Sequence, residues 1–164
     1  MPHYVRVGIR EDRWYTRPHI PWLAPEELLA DAFADLKTTD GHLSVYEVSD
    51  PADVQLIERI AAAVAAGKQK PEHTGYAVFR ADAVQALGIK TQKTPGTTAD
   101  GAVNALHVDL NELTTGKVVE LAEVVAQGER RTILKKRVEE LIKGGLTSGH
   151  LDRERLTHKW PTQL

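Results

Sequence analysis

The possible folds are limited chiefly by short segments in which apolar and polar side chains alternate. These segments are separated by stretches in which apolar residues recur every three or four positions, as they do on one face of a helix. In the first segment, residues 4–10, Val5, Val7 and Ile9 occupy every second position. A period of two is typical of a strand with one buried face. Three further strands are predicted over residues 43–48, 76–79 and 105–110.

Five helices are predicted around these strands because apolar residues recur there at spacings of three and four. Their predicted ranges are 25–36, 51–66, 81–87, 114 or 115–127, and 129–143. Asp50 is expected to cap the second helix, since aspartate favours the position before the first turn. Gly144 and Gly145 are expected to end the last one.

The predicted order β-α-β-α-β-α-β-α-α indicates an α/β protein. Strands covered on both faces usually form continuous apolar runs, and these do not. We therefore expect a two-layer sandwich, with helices against one face of a small, mixed or mostly parallel four-stranded sheet. A three-layer, doubly wound α/β fold is the alternative. We expect one domain over residues 1–145 and a polar, mobile C-terminal tail over 146–164.

The composition excludes several classes of protein. The chain of 164 residues contains no cysteine, which excludes disulfides and zinc–thiolate sites. Its longest apolar run, residues 60–66, is far shorter than the roughly 20 residues of a membrane span. Seven scattered histidines show no paired ligand spacing. We expect a cytoplasmic protein that has no cofactor, no metal and no contact with a membrane.

The sequence HVDL in the fourth strand is the strongest candidate for chemistry. Alternation places His107 and Asp109 on one face of that strand. Such a pair serves as a general base with an orienting carboxylate, or as two metal ligands. The alternative is that both side chains lie on a solvent-exposed sheet face.

The irregular stretch at 90–104 precedes this pair and is rich in threonine. Threonine hydroxyls, an aspartate carboxylate and a flexible glycine backbone suit a loop that closes over a phosphate or a sugar. The candidate ligand-binding residues are Thr97, Thr98, Asp100 and Gly101. A connection without function is the alternative. No GxxxxGK[ST], GxGxxG or GxSxG motif occurs in the chain.

Aromatic and basic residues cluster in the loop after the first strand. Both kinds are enriched at binding hot spots, and the candidate partner-binding residues are Arg13, Trp14, Tyr15, Arg17, His19 and Trp22. The alternative is that Trp14 and Trp22 pack over the edge of the sheet as part of the core.

A basic stripe marks the predicted fifth helix. Its residues Arg130, Arg131, Lys135 and Lys136 would suit a nucleic-acid backbone. Glu139 and Glu140 lie close by, so a solvated helix face is the alternative.

Three functions follow as hypotheses. The first is a small accessory subunit of a bacterial system that binds a protein partner, or a second copy of itself, through the aromatic loop and the C-terminal helices. The second is an enzyme that acts on a phosphorylated or nucleotide-like small molecule, with His107 as the base and Asp109 as its orienter. The third is a nucleic-acid binder that uses the basic fifth helix.

Overall fold

The computed structural model describes residues 1–14 and 27–156. In these residues the strands are β1 (His3–Val7), β2 (Leu43–Val48), β3 (Thr74–Arg80), β4 (Lys90–Lys93), β5 (His107–Asn111) and β6 (Glu129–Ile133). The α-helices are α1 (Val54–Ala66), α2 (Ala81–Ala86), α3 (Gly101–Asn104), α4 (Thr115–Gln127) and α5 (Lys135–Thr147). Short 3-10 helices cover Glu11–Arg13, Ala30–Ala34 and Arg153–Arg155.

The strands form one open sheet in the order β4-β5-β2-β1-β3-β6, and every neighbouring pair is antiparallel. The prediction of a small, mixed or mostly parallel four-stranded sheet is therefore wrong. Helix α1 does connect two strands of the same direction, β2 and β3, but β1 lies between them and is antiparallel to both. Crossover helices thus join strands that are not neighbours, which a sequence pattern does not reveal.

Helices cover both faces of the sheet, so the two-layer prediction is also wrong. Helices α1, α3 and α5 pack on the face that carries Val5 and Tyr46. Helices α2 and α4 and the 3-10 helix Ala30–Ala34 pack on the opposite face, which carries Val45 and Phe79. The doubly wound alternative had three layers, but its parallel sheet is not observed.

A β-bulge at Gly8 reverses the face of the sheet to which the side chains after β1 point. Gly8 has a φ of +99°, and both its N–H and that of Ile9 donate to the Gly75 carbonyl, at 2.8 and 3.2 Å. Two residues opposite one is the arrangement of a β-bulge, for which glycine is suited. Ile9 consequently packs with Trp14, on the face opposite Val5. The first strand ends at Val7 rather than Arg10.

Two edge strands were missed because their side chains are mostly exposed. The predicted helix over 129–143 is instead β6 followed by α5, and α5 continues through Gly144 and Gly145 to Thr147. The predicted irregular stretch over 90–104 contains β4, whose four side chains are all exposed, and α3. An edge strand in solvent has no buried face, so it shows no alternation of apolar residues.

Two helix predictions also need correction. Within the described part of 25–36, the chain forms the 3-10 helix Ala30–Ala34 instead of a longer α-helix. Helix α1 is capped by Asp53, whose side chain accepts from the Leu56 amide at 3.0 Å. Asp50 instead accepts from the amide of Ala52 at 2.8 Å, in the preceding turn.

The described residues after α5 return to the body of the protein. Leu151 is buried in the core beside Gly145 of α5, and the Asp152 amide donates to the Ala99 carbonyl at 2.8 Å. Residues 157–164 lie outside the described part. No helix in residues 1–14 and 27–156 has the length and apolarity needed to cross a membrane.

Candidate functional site

His107 and Asp109 lie on the same face of β5, and Thr94 bridges them. The Thr94 hydroxyl donates to Asp109 Oδ2 at 2.7 Å and lies 2.9 Å from His107 Nδ1. His107 Nε2 and Asp109 Oδ1 are 3.8 Å apart, which is beyond a hydrogen bond. The threonine therefore makes the close contacts with both groups, and the histidine and aspartate do not contact each other as a base and its orienter would.

The His107 ring is held in the protein interior. His107 is only 9% exposed and packs edge-on against Tyr46, with ring centroids 5.5 Å apart. A general base must reach the proton of its substrate directly or through one water. Asp109 is partly exposed, and Ser44 Oγ lies 3.5 Å from its Oδ1. The packing favours a structural role for the ring, and its catalytic role stays a prediction.

The threonine-rich loop uses its polar groups internally. Asn104 Oδ1 accepts from both the amide and the hydroxyl of Thr98, at 2.8 and 2.7 Å. The Asn104 side-chain amide donates back to the Thr98 carbonyl at 2.9 Å. Thr97 is exposed, and Gly101 begins α3. The bonds between Thr98 and Asn104 close the loop on itself instead of leaving these groups open to a ligand.

Asp100 forms a partly buried ion pair with Arg59 that the sequence did not predict. Its side chain is 1% exposed, and Arg59 donates to both carboxylate oxygens, at 2.6 and 2.9 Å. Burial alone would raise the pKa of the Asp100 carboxyl. The hydrogen bonds from Arg59, Val103 and Ala102 outweigh burial, and the pKa lies below its ordinary value.

Trp14 is part of the core. Its exposure is 0%, its indole Nε1 donates to Asp35 Oδ2 at 2.9 Å, and the guanidinium of Arg130 lies 5.9 Å from the ring centroid. Arg13 lies 3.5 Å from the Asp35 carboxylate. The core interpretation therefore holds for Trp14, which has no surface to offer a partner. The other predicted partner-binding residues, Tyr15, Arg17, His19 and Trp22, lie outside the described residues.

The predicted basic helical stripe is divided between two elements. Arg130 and Arg131 are consecutive residues of β6, so their side chains point to opposite faces of the sheet. Arg130 donates to the Ala126 carbonyl at 2.6 Å, and Arg131 pairs with Glu129. Lys135 and Lys136 begin α5. The prediction that all four lie along one helix is wrong.

A cleft of about 810 Å³ opens where β1 ends, β3 begins and β6 ends; we call it the basic cleft. Four cationic side chains line it, against two carboxylates, those of Asp12 and Glu72. The cations are Arg10, Lys68, Lys70 and Lys135. Lys70 Nζ lies 3.8 Å from Glu72 Oε1, and Lys135 Nζ lies 3.9 Å from Glu139 Oε1, so at least two of the four cations have an acidic neighbour.

Backbone geometry shapes the floor of the basic cleft. A Cβ placed on Gly75 would lie 1.7 Å from the Ile9 carbonyl oxygen, so glycine is required for β1 and β3 to approach here. Elsewhere in the lining, the backbone amide of Lys135 donates to Nδ1 of His73 at 3.3 Å. The lining residues come from segments far apart in the sequence, which is why no local motif indicated the cleft.

A second concave surface is apolar. A groove of about 420 Å³ is lined by side chains of the 3-10 helix Ala30–Ala34 and of α4. Phe33 and Val119, which are 39% and 42% exposed, lie in it.

Within residues 1–14 and 27–156, no group of three or more histidine, aspartate or glutamate side chains is arranged to hold a metal ion.

No protein-family model, no curated protein and no solved structure matches this chain.

Proposed function

We propose that this protein is a binding domain for a small anionic molecule, with a phosphate-bearing ligand held in the basic cleft. The observation that carries the proposal is the excess of four cationic side chains over two carboxylates around one concave volume. That volume, about 810 Å³, lies within the usual range for small-ligand sites, roughly 300–1,000 Å³.

The chemistry of the lining fits a phosphate group. Lysine ammonium groups act as point charges toward phosphate oxygens, and the guanidinium of Arg10 offers a planar, bidentate donor. Thr132 adds a hydroxyl at the same edge. Because a concave site excludes part of the surrounding water, these charges act on an anion more strongly than isolated surface charges would.

The lining also includes apolar surface. Ile9 and Pro71 border the same volume as the cations. A ligand that fills this space therefore combines an anionic group with a carbon skeleton or a ring, as a phosphorylated metabolite does. Inorganic phosphate would satisfy the charges and leave the apolar surface uncovered.

The enzyme and partner hypotheses stay predictions. The C-terminal end of β5 points toward the end of the sheet that holds the basic cleft. His107 is the first residue of β5, so it lies toward the other end of the sheet. A protein-partner role for the aromatic loop would depend on Arg13 and on residues outside the described part, since Trp14 is buried.

Calorimetric titration at low salt tests the proposed function. We expect pyrophosphate and nucleoside triphosphates to bind saturably to the wild type. The double variant K68Q/K135Q should bind at least about tenfold more weakly, because two of the four cleft cations are lost. The matched control is K37Q/K90Q, which removes the same charge from exposed lysines outside the cleft.

The control should change the affinity by less than about twofold, because Lys37 and Lys90 do not line the cleft. Absence of saturable binding to the wild type would refute the proposal. Equal losses in the two double variants would also refute it, because they would indicate attraction by net charge without a site.

A further inference from the structure

His73 lines the basic cleft and contacts the first residue of α5. The backbone N–H of Lys135, the first residue of α5, donates to His73 Nδ1 at 3.3 Å. A ring nitrogen accepts a hydrogen bond only when it carries no proton. The contact therefore requires Nδ1 to be unprotonated when the cleft has this conformation.

Protonation of His73 would change the cleft in two ways. Nδ1 would become a donor, so the Lys135 amide would lose its acceptor and would be free to donate to another group. The ring would also add a positive charge to the four cations that already line the cleft. Both changes favour an anion in the cleft.

The surrounding charges explain why proton and anion would bind together. Groups that border the same cleft come from the segment after β1 (Arg10, Asp12), the α1–β3 connection (Lys68, Lys70, Glu72) and α5 (Lys135). An anion held among these cations would also attract a positive charge on the His73 ring.

We propose that the basic cleft binds its anion together with a proton on His73, so that ligand affinity rises as the pH falls. The inference rests on the proposed function and adds a mode of regulation to the same site. Histidine is the side chain that changes charge between about pH 5 and pH 8. Linkage makes the effect reciprocal: if protons strengthen anion binding, anion binding must draw protons from solution.

Sulfate is the appropriate probe, because its charge stays constant over this pH range whereas that of phosphate changes. We expect sulfate to bind the wild type at least about fivefold more tightly at about pH 5.5 than at about pH 8. Calorimetry in two buffers of different ionisation enthalpy should show proton uptake on binding, and this measurement needs no variant.

The variant H73Q separates this mechanism from others. Glutamine keeps an oxygen that can accept from the Lys135 amide but takes up no proton, so the affinity for sulfate should become nearly independent of pH. H150Q, at an exposed histidine outside the cleft, is the matched control and should keep the wild-type pH dependence.

Unchanged pH dependence in H73Q would overturn the inference. Sulfate binding by the wild type without pH dependence or proton uptake would also overturn it, while the proposed function would stand. If neither sulfate nor pyrophosphate binds the wild type at either pH, both proposals fail.

Discussion

The indole Nε1 of Trp14 donates a hydrogen bond to Asp35 Oδ2 at 2.9 Å, and both side chains are buried. The same oxygen accepts from the Arg10 amide at 2.6 Å. Asp35 thus fixes the segment after β1 to the chain that follows the 3-10 helix Ala30–Ala34. Because Arg10 and Asp12 lie in that segment, the buried carboxylate also positions one wall of the basic cleft.

Replacing Asp35 should destabilise the fold. In D35A, the Trp14 indole N–H and the Arg10 amide both lose their acceptor. Each unsatisfied group costs about 1–3 kcal/mol when it stays buried, so urea unfolding should show a large loss in the free energy of unfolding. D31A, at an exposed aspartate of the same 3-10 helix, should change stability by no more than about 0.5 kcal/mol. Similar losses in the two variants would contradict the structural role of Asp35.

The sequence predicted most of the strands and helices that bury an apolar face, but not α3. The limits of β2 agree with the prediction, and α4 begins after Thr114, whose hydroxyl accepts from the Lys117 amide. The edge strands β4 and β6 were missed because burial does not select their side chains. Strand order was also out of reach, since it depends on β1 lying between β2 and β3.

Polar residues in the strands explain the wrong number of layers. Arg6 alternates with Val5 and Val7 in β1, a pattern typical of a strand whose polar side chains face solvent. It instead donates to the carbonyls of Asp35 and Ser44, at 3.1 and 3.0 Å, beneath the chain that covers that face. A buried polar group is tolerated when it is hydrogen-bonded. Polarity alone therefore does not distinguish a covered sheet face from an exposed one.

For the candidate sites, alternation correctly brought His107 and Asp109 to one face. It gave no sign of Thr94, which reaches them from the end of β4. The basic cleft was missed for a similar reason: Arg10, Lys68 and Lys135 converge only through the tertiary fold. Sites assembled from distant segments leave no spacing that a single sequence can show.

Removal of the Thr94 hydroxyl tests whether this cluster is structural. T94V deletes the donor to Asp109 and the contact with His107 while it preserves side-chain shape. We expect a loss of about 1–3 kcal/mol, because partly buried polar groups lose their partner. T97V, at an exposed threonine of the same loop, should be nearly neutral in chemical denaturation. A neutral T94V would show that the bridge contributes nothing to stability.

Two adjacent glycines of α5 should respond oppositely to alanine. A Cβ on Gly144 meets nothing within 4 Å, so G144A should stabilise the protein by about 0.5–1 kcal/mol through helix propensity. A Cβ on Gly145 would lie 2.8 Å from the buried Leu151 side chain, which must then move. Thermal unfolding of G145A should show a lower melting temperature than G144A. Equal melting temperatures would contradict the packing of Leu151 against α5.

The ion pair of Asp100 with Arg59 should make stability depend on pH in the acid range. The pKa of Asp100 is lowered in the folded protein because hydrogen bonds from Arg59 and two backbone amides outweigh the effect of burial. Its stabilising contribution is therefore complete above the ordinary aspartate value of about 3.9 and is lost as the pH falls through the lower, folded value.

The variant D100N isolates that contribution. Asparagine still caps a helix, so α3 keeps its first-turn acceptor while the ion pair with Arg59 is lost. At neutral pH, D100N should be less stable than the wild type by about 1.5–3 kcal/mol, the usual value of a hydrogen bond to a charged group. Below about pH 4 the difference should shrink, because the aspartate of the unfolded chain takes up a proton there, whereas the folded carboxylate does so only at a lower pH. D53N, at the exposed cap of α1, is the matched control for the loss of a capping carboxylate. A wild-type–D100N difference that stays constant between about pH 7 and pH 3 would show that Asp100 is not stabilised as a carboxylate.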